Sequence, residues 1–444
     1  MNKIIKKIIL ILLITAAVSV VSIYAYRIVS NQNIESKQSA ESEIDALTFY
    51  HWWTSPGESA AINALIDVFI KKYPDTAVMP TPVTGGGGFS MLGIIKPLVN
   101  AGEAPDAFQM HAAYESKPYY DAGLLKQIDD IWESEDLESV IPKIVQDMNK
   151  FEGHYYSVPI DIHRSNLVWY NKLLLSQNNI NPDNLTTWDL FFNACETLKA
   201  SGVEYPIQMG ESWTASHVFE QIVASMGIDF YEDWVNGKIT SLDNPKLLEA
   251  LRIFNKYLSY VNSDYSELSW NSATARVIEG ESAFNIMGDW ANGEFKAAKK
   301  IYGVDYGVFA VPGTENMYGL VIDTFQHPKG IKHPVNAQRW LKNAASKEGQ
   351  DAFNPLKGSI SARTDSDISK YDAYQQFATS DFLAVRYMFP SVVHGSGAPE
   401  SFKLNLNDII VQFLDNRDDE EFISSMTRYI QSISSEYTIN WSLN

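Results

Sequence analysis

The chain has 444 residues, 45% hydrophobic and 20% charged, a globular balance that excludes disorder and collagen-like repeats and gives, by length, room for about three domains. Its 35 Lys and Arg against 54 Asp and Glu leave a formal net charge of -19, which repels nucleic acid and anionic lipid headgroups. A single cysteine, Cys195, excludes an internal disulfide framework and a cysteine-rich zinc site. Aromatic residues make up 12% of the chain, a composition compatible with sugar binding.

Residues 1–27 begin with Lys3, Lys6 and Lys7 and continue through an uncharged, mostly apolar run from Ile8 to Ala25. This is the pattern of a secretory signal, and the run is also long enough for an uncleaved membrane anchor. Either way the lysines stay inside and the globular part is exported. Residues 28–45 are polar and read as a linker. No cysteine follows the apolar run, so a lipid anchor is not expected.

From Leu47, LTFYHWW reads as a buried strand, followed by a helix over 57–73 with Ala61, Leu65 and Phe69 on one face and Ser55 as its cap. AVMPTPV is a second strand, the glycine run 85–88 leads into the helix MLGIIKPLVNAG, and DAFQMHA is a third strand. This alternation predicts an α/β domain with parallel neighbours. Helical patterns follow near 186–201, 214–226, 245–261 and 271–281; AFNIMGDWA and VDYGVFAVPG read as strands, KGIKHPVNAQRWLKNAA as a helix, and the last 75 residues as helical. Strand-rich segments on both sides of a helical middle predict two lobes with more than one crossing between them.

Candidate binding residues sit at element ends, where α/β sheets open onto a crevice. Trp52 and Trp53 end the first strand beside Glu58; they either pack under the following helix or offer an aromatic face to the C–H side of a sugar ring while Glu58 accepts from its hydroxyls. The run Gly85–Gly88 lacks the ending of a phosphate loop, so its backbone must come close to something, a ligand or a packed helix. Lys96 is a ligand contact or a snorkelling surface lysine. Gln109 and His111 alternate with apolar residues on the third strand, and polar residues on a buried strand face call for a cavity. His163, Trp270, Asp289, Trp290, Lys357 and His394 are further polar or aromatic groups near element ends or turns. The histidines lack metal-site spacing, and no two acids pair in sequence as a glycoside hydrolase requires, which leaves hydrolysis a remote alternative. Cys195 falls in a helical pattern and is expected to be buried and inert.

The segments HWWTSPGE, GGGG with the helix carrying Lys96, PDAFQ, VPIDIHR, FNIMGDWANGEF, KGSISARTD and the late HG resemble the sugar receptors of bacterial ATP-binding-cassette importers, and within family 1 extracellular solute-binding proteins the glucose/mannose branch. The resemblance runs from about residue 47 to about 396. It implies an α/β, two-lobe periplasmic-binding-protein fold of type II, with a hinge of about three crossovers and a sugar cleft between the lobes. The lobes would be 46–157 plus 318–355 and 158–317 plus 356–444. It implies sugar contacts from Trp52, Trp53, Glu58, Gly87, Lys96, Gln109 and His111 on one side and from Trp270, Gly288, Asp289, Lys357 and His394 on the other. It implies no catalysis, no metal and no cofactor. The expected partners are a monosaccharide, glucose or mannose, and a membrane permease; the receptor acts as a periplasmic monomer, free or tethered. Another or larger sugar is the alternative. Ser55-Pro56, Asp161 and Phe89 depart from the usual pattern and bear on which sugar is accepted.

Overall fold

The structure is a computed structural model that describes residues 45–433. The apolar segment 1–27, linker residues 28–44 and residues 434–444 lie outside the described residues. Among the described residues no helix is long and apolar enough to cross a membrane. Asp45, Ala46 and Asp75–Ala77 form one unit, and the rest of the described chain forms a second unit. In the first, the Ala77 N–H donates to the Asp45 carbonyl at 2.8 Å.

Strand β1 (Ala46–His51) ends in the Trp52-Trp53 pair and turns at Ser55 into helix α1 (Pro56–Lys72). The turn is fixed locally: Pro56 occupies the first helical position, and Glu58 accepts from both the Ser55 N–H at 3.3 Å and the Ser55 hydroxyl at 3.0 Å. Then come β2 (Ala77–Pro82), α2 (Phe89–Asn100), β3 (Ala107–His111), β4 (Ser157–Pro159), β5 (Asp161–Arg164) and β6 (Leu167–Asn171). The helical middle includes α3 (Trp188–Ala200), α4 (Ser212–Ser225), α5 (Pro245–Leu258) and α6 (Trp270–Glu279), with a short helix over Ile228–Val235 between α4 and α5. After it follow β7 (Phe284–Ile286), α7 (Ala291–Ala297), β8 (Tyr306–Ala310), β9 (Met317–Val321), β10 (Asp323–Gln326), α8 (Pro334–Ala345) and α9 (Lys347–Lys357). The chain continues through β11 (Ile360–Ser361), β12 (Tyr387–Pro390), α10 (Glu400–Asn416) and α11 (Asp419–Ile433).

The strands form a five-stranded sheet, β2-β1-β3-β10-β4, a four-stranded sheet, β11-β5-β9-β12, and a three-stranded sheet, β8-β6-β7. β1 and β3 run parallel, as the strand–helix–strand pattern requires, whereas β10 enters antiparallel between β3 and β4. The chain passes between the five- and four-stranded sheets at Ile160, Ile322 and Gly358-Ser359. The result is a two-lobe, mixed α/β fold. The change of sheet at Ile322 falls just beyond β9, so a boundary at 318 lies inside that strand.

There are two apolar cores. One surrounds the five-stranded sheet, where Phe49 stacks on Trp340 with centroids 4.4 Å apart, and continues past the crossovers through Ile162, Trp169, Phe295 and Leu320. The other joins the helical middle to the C-terminal helices through Phe219, Phe254, Phe413 and Phe422. Cys195 is a buried free thiol in this second core, its pKa pushed up by burial. Trp213, Trp270 and Trp290 come from the far side of the crossovers, yet they pack into the first core.

Helix does not run through the last 75 residues. Residues 387–390 form β12, which pairs in parallel with β9, and a loop over 391–399 carries His394. The sequence YMFP has no strand partner nearby; its ladder is provided by residues 317–320, so tertiary pairing overrides the local helical reading.

Helices α1, α7 and α9 meet backbone to backbone. A Cβ on Gly293 would lie 2.7 Å from the Lys357 carbonyl oxygen and 2.9 Å from that of Leu356. Gly293→Ala therefore overpacks a rigid contact and is expected to lower stability by about 1–3 kcal/mol, to be read as a shifted midpoint in urea unfolding.

Candidate functional site

A cleft with an empty volume of about 630 Å³, including open solvent, lies among the ends of β1, β3, β10, α4, α6 and α9. Its walls are aromatic: Trp52, Trp213, Trp270 and Trp290 all line it. His111 lies against Trp52, centroids 4.8 Å apart, and His394 against Trp290 at 4.9 Å. The glycine run closes one side. Gly87 and Gly88 have φ of 61° and 75°, and a Cβ on Gly86 would lie 2.4 Å from Trp213 Nε1. The run thus serves a tight turn and close approach to a tryptophan from another helix.

Polar groups on the walls are fixed from behind. His111 Nδ1 lies 2.8 Å from Glu115 Oε2, which also accepts the His111 N–H at 2.7 Å, so the Nε2 side is left toward the cleft. Lys357 Nζ sits 3.4 Å from Glu58 Oε1 and 5.9 Å from the Trp290 ring centroid. Beneath the cleft, His163 bonds Asp289 through Nδ1 and lies 3.1 Å from Asp161 through Nε2. Asp161 accepts the Asp323 N–H at 2.9 Å, and Trp53 Nε1 donates to Asp323 at 3.3 Å.

Burial alone would lower the His163 pKa, but the Asp161 and Asp289 carboxylates outweigh it and hold the ring above its ordinary range. Burial raises Asp161 despite His163 beside it; in Asp323 the same burial is overcome by His163 and His111, and its pKa falls. His217 is pushed down to about 3 by burial, and His394, 3.3 Å from it, is also lowered, first by burial and then by neighbouring histidines. The cleft therefore presents a neutral imidazole on one wall and an imidazolium within its floor. Asp161, His163 and Asp323 offer ligand atoms within 4.8 Å of one another.

Of the residues expected from sequence, Trp52, Glu58, Gly87, His111, Trp270, Lys357 and His394 line the cleft. Trp53 does not: its ring is buried against Phe325 and Phe353, because the neighbour of an inward-facing residue points the other way. Lys96 is exposed and pairs with Glu400 at 2.8 Å, a snorkelling lysine on α2. Gln109 accepts the Trp52 N–H at 3.0 Å from behind. Gly288 is packed under Trp290, and Asp289 is held beneath His163 and takes the Arg164 N–H at 3.0 Å. Glu58 and Asp289 are thus occupied by neighbours instead of being set as a hydrolytic pair.

Asp323, Trp213, Trp290 and His163 line the cleft as well. Asp323 carries the same signal as His111, a polar residue at one end of a buried strand, and Trp213 the same signal as Trp270, an aromatic at a helix start.

The loop that presents His394 hangs on Glu220 of α4, which accepts the Ser391 hydroxyl at 2.7 Å, the Val392 N–H at 2.6 Å and the Tyr231 hydroxyl at 2.8 Å. Burial raises this carboxyl from 4.5 to about 7. The folded state then binds the proton more tightly than the unfolded chain, so this contribution to stability is full below pH 4.5 and declines by about 3 kcal/mol as pH rises to 7. Glu220→Gln removes the titration: the melting temperature of the wild type relative to this variant is expected to fall across that window.

The bacterial extracellular solute-binding protein family matches residues 52–351. An ABC transporter extracellular-binding protein of Pyrococcus horikoshii is 40% identical over 417 residues, covering 93% of each chain. A probable sugar-binding periplasmic protein of Rhizobium meliloti is 32% identical over 390 residues, 86% of this chain and 92% of the other. Among solved structures, AcbH, a bacterial solute receptor with exclusive preference for β-D-galactopyranose, superposes with a TM-score of 0.75 at 15% identity, covering 88% of this chain and 99% of its own. These relatives are binding proteins, not enzymes. The geometry of a two-lobe fold around an aromatic cleft and the extent of these matches agree: the chain belongs to the bacterial extracellular solute-binding protein family.

Proposed function

We propose that the cleft captures a monosaccharide, glucose or mannose, and that the loaded protein delivers it to the permease of an ABC importer. The observation that carries this is the pairing of tryptophan faces with polar atoms left open on the same walls. Trp213 Nε1 is buried without a hydrogen-bond partner in the protein, as is Asp323 Oδ1, whose nearest charged neighbour is His111 Nε2 at 3.6 Å, and His111 and Lys357 face the same space from fixed positions. Unpaired buried acceptors and donors are costly unless a ligand pairs them, and a hydroxyl both donates and accepts. A pyranose offers hydroxyls at its edge and C–H faces to the rings.

Binding follows from closure. The lobes, proposed as 46–157 with 318–355 and 158–317 with 356–444, supply residues to the cleft from both sides, so a ligand touching both favours the closed arrangement. The residues that fix hydroxyl positions are rigid before the ligand arrives, because Glu115, Glu58 and Asp161 hold them from behind. The permease reads the closed form, in which Trp213 rests on the glycine run. Residues 1–27 serve as the export signal or a tether, and the receptor works as a monomer outside the cytoplasm.

Isothermal titration of the purified protein with D-glucose tests this: one saturable site is expected, with D-mannose competing. Continuing heat would mean turnover and overturn the receptor reading, and absence of binding to both would assign the cleft to another or larger sugar. The two adjacent tryptophans are expected to separate. Trp52→Ala weakens glucose binding on the order of tenfold or more with little change in melting, as for loss of an aromatic wall in a ligand cleft. Trp53→Ala costs about 3–5 kcal/mol of stability, as for a large core residue, measured by urea unfolding.

A further inference from the structure

We infer that Lys403 and Glu115 form a closure latch, a pair of positioning residues that sets the affinity of the cleft for every ligand alike without touching any of them. The inference rests on the proposed function in taking the cleft as the ligand site. Lys403 lies on α10, next to Phe402 and near Leu406, both in the second core. Glu115 follows β3, with Ala112 and Tyr119 in the first core. The Lys403 ammonium donates to Glu115 Oε1 at 2.8 Å and to the Gly87 carbonyl at 2.9 Å, and sits 4.3 Å from the centroid of Phe89. Both charged side chains are 1% exposed. One lysine from the far core is thereby held by three elements of the near one: the turn after β3, the glycine run and the start of α2.

The second oxygen of the same carboxylate gives the arrangement its functional direction. Glu115 Oε2 fixes His111, which lines the cleft, while Oε1 takes Lys403, which does not. Burial acts to raise the Glu115 pKa, but Lys403 and His111 together lower it to about 2. The carboxylate therefore stays charged and needs both partners. When the lobes separate, lysine and carboxylate return to water and neither costs anything. When they close, both lose water, and the absence of either leaves the other buried and uncompensated. Removing one partner thus penalises the closed arrangement selectively. Lys96 and Glu400 form a second ion pair between α2 and α10 at 2.8 Å, but Lys96 is half exposed and solvent screens the pair.

The test compares wild type, Lys403→Met, Glu115→Gln and the double variant, titrated with D-glucose, D-mannose, D-galactose and D-xylose. In parallel, spin labels on α1 and α5 report the distance between lobes. Lys403→Met is expected to raise Kd by a common factor for every sugar that binds, roughly 10- to 100-fold, as for a lowered population of the competent state; Glu115→Gln also weakens binding, but it frees His111 as well, so its factor differs between sugars. The order of sugars stays unchanged in Lys403→Met. The double variant, with no buried charge left over, binds more tightly than either single variant. Affinities within about twofold of wild type, a changed order of sugars in Lys403→Met, or a double variant no tighter than the singles would each overturn the latch. If wild type binds none of the four sugars, the proposed function fails and the distances alone decide. A shift to longer separations in Lys403→Met relative to wild type then supports the latch, and coincident distributions overturn it.

Discussion

Charged side chains can face a cleft at the junction of two sheets only if their charge is balanced out of water, and His163 provides that balance. It carries its proton between Asp161 and Asp289, and the carboxylate of Asp161 accepts the N–H of Asp323 at 2.9 Å. Asp161 follows the crossover at Ile160, and Asp323 follows the one at Ile322. The floor of the cleft and two of the places where the chain changes sheet are thus a single polar network. A buried ionic network of this kind adds little net stability, because desolvation offsets attraction; what it fixes is position. Without it, the strands bearing His111 and Asp323 would have no reason to end in polar groups at one point in space.

The aromatic walls solve a different problem. Trp213, Trp270 and Trp290 come from helices beyond the crossovers and yet pack with the core around the five-stranded sheet. Large rings span a gap between lobes at little conformational cost, since few torsions are lost. They keep much of their surface from water whether or not a ligand lies between them. The glycine run is the counterpart on the other side. Only residues without a Cβ leave room for Trp213 over Gly86, and only glycine adopts the turn at Gly87 and Gly88 without strain. Bulk from one lobe meets absence of bulk from the other.

Affinity in such a molecule is divided between groups that touch a ligand and groups that decide how often the touching geometry exists. The first set is held rigid from behind by Glu115, Glu58 and Asp161, which limits the entropy lost on binding. The second set is spread across the interface, in Trp213 on the glycine run and Lys403 in its buried pair. Glu115 belongs to both sets, with one carboxylate oxygen on His111 and the other on Lys403.

Much of this was legible in the chain itself. The alternation from Leu47 to Ala112 predicted the strand–helix–strand order and the parallel pairing of β1 with β3; the capping turn at Ser55 and the bounds of α3 to α6 followed from spacing within a few residues, while the helix Ile228–Val235 between α4 and α5 did not. These features depend on neighbours in sequence. The residues lining the cleft were legible where a polar or aromatic group stood at the end of a strand or helix, as with Trp52, His111 and Lys357. The rest was set by partners distant in the chain. β12 is a strand because residues 317–320 lie beside it. Trp53 is core and Trp52 is wall because Phe325 and Phe353, both far along the chain, occupy one face of β1. Asp289 serves the floor instead of the cleft because His163 stands over it, and Lys403 is buried because Glu115 and Gly87, both distant in the chain, receive its ammonium. Periodicity and capping are local, so the sequence alone determined most of the elements, β12 excepted; pairing of buried charges and sharing of a cleft are decided by long-range contacts, and only the tertiary structure assigned each side chain its role.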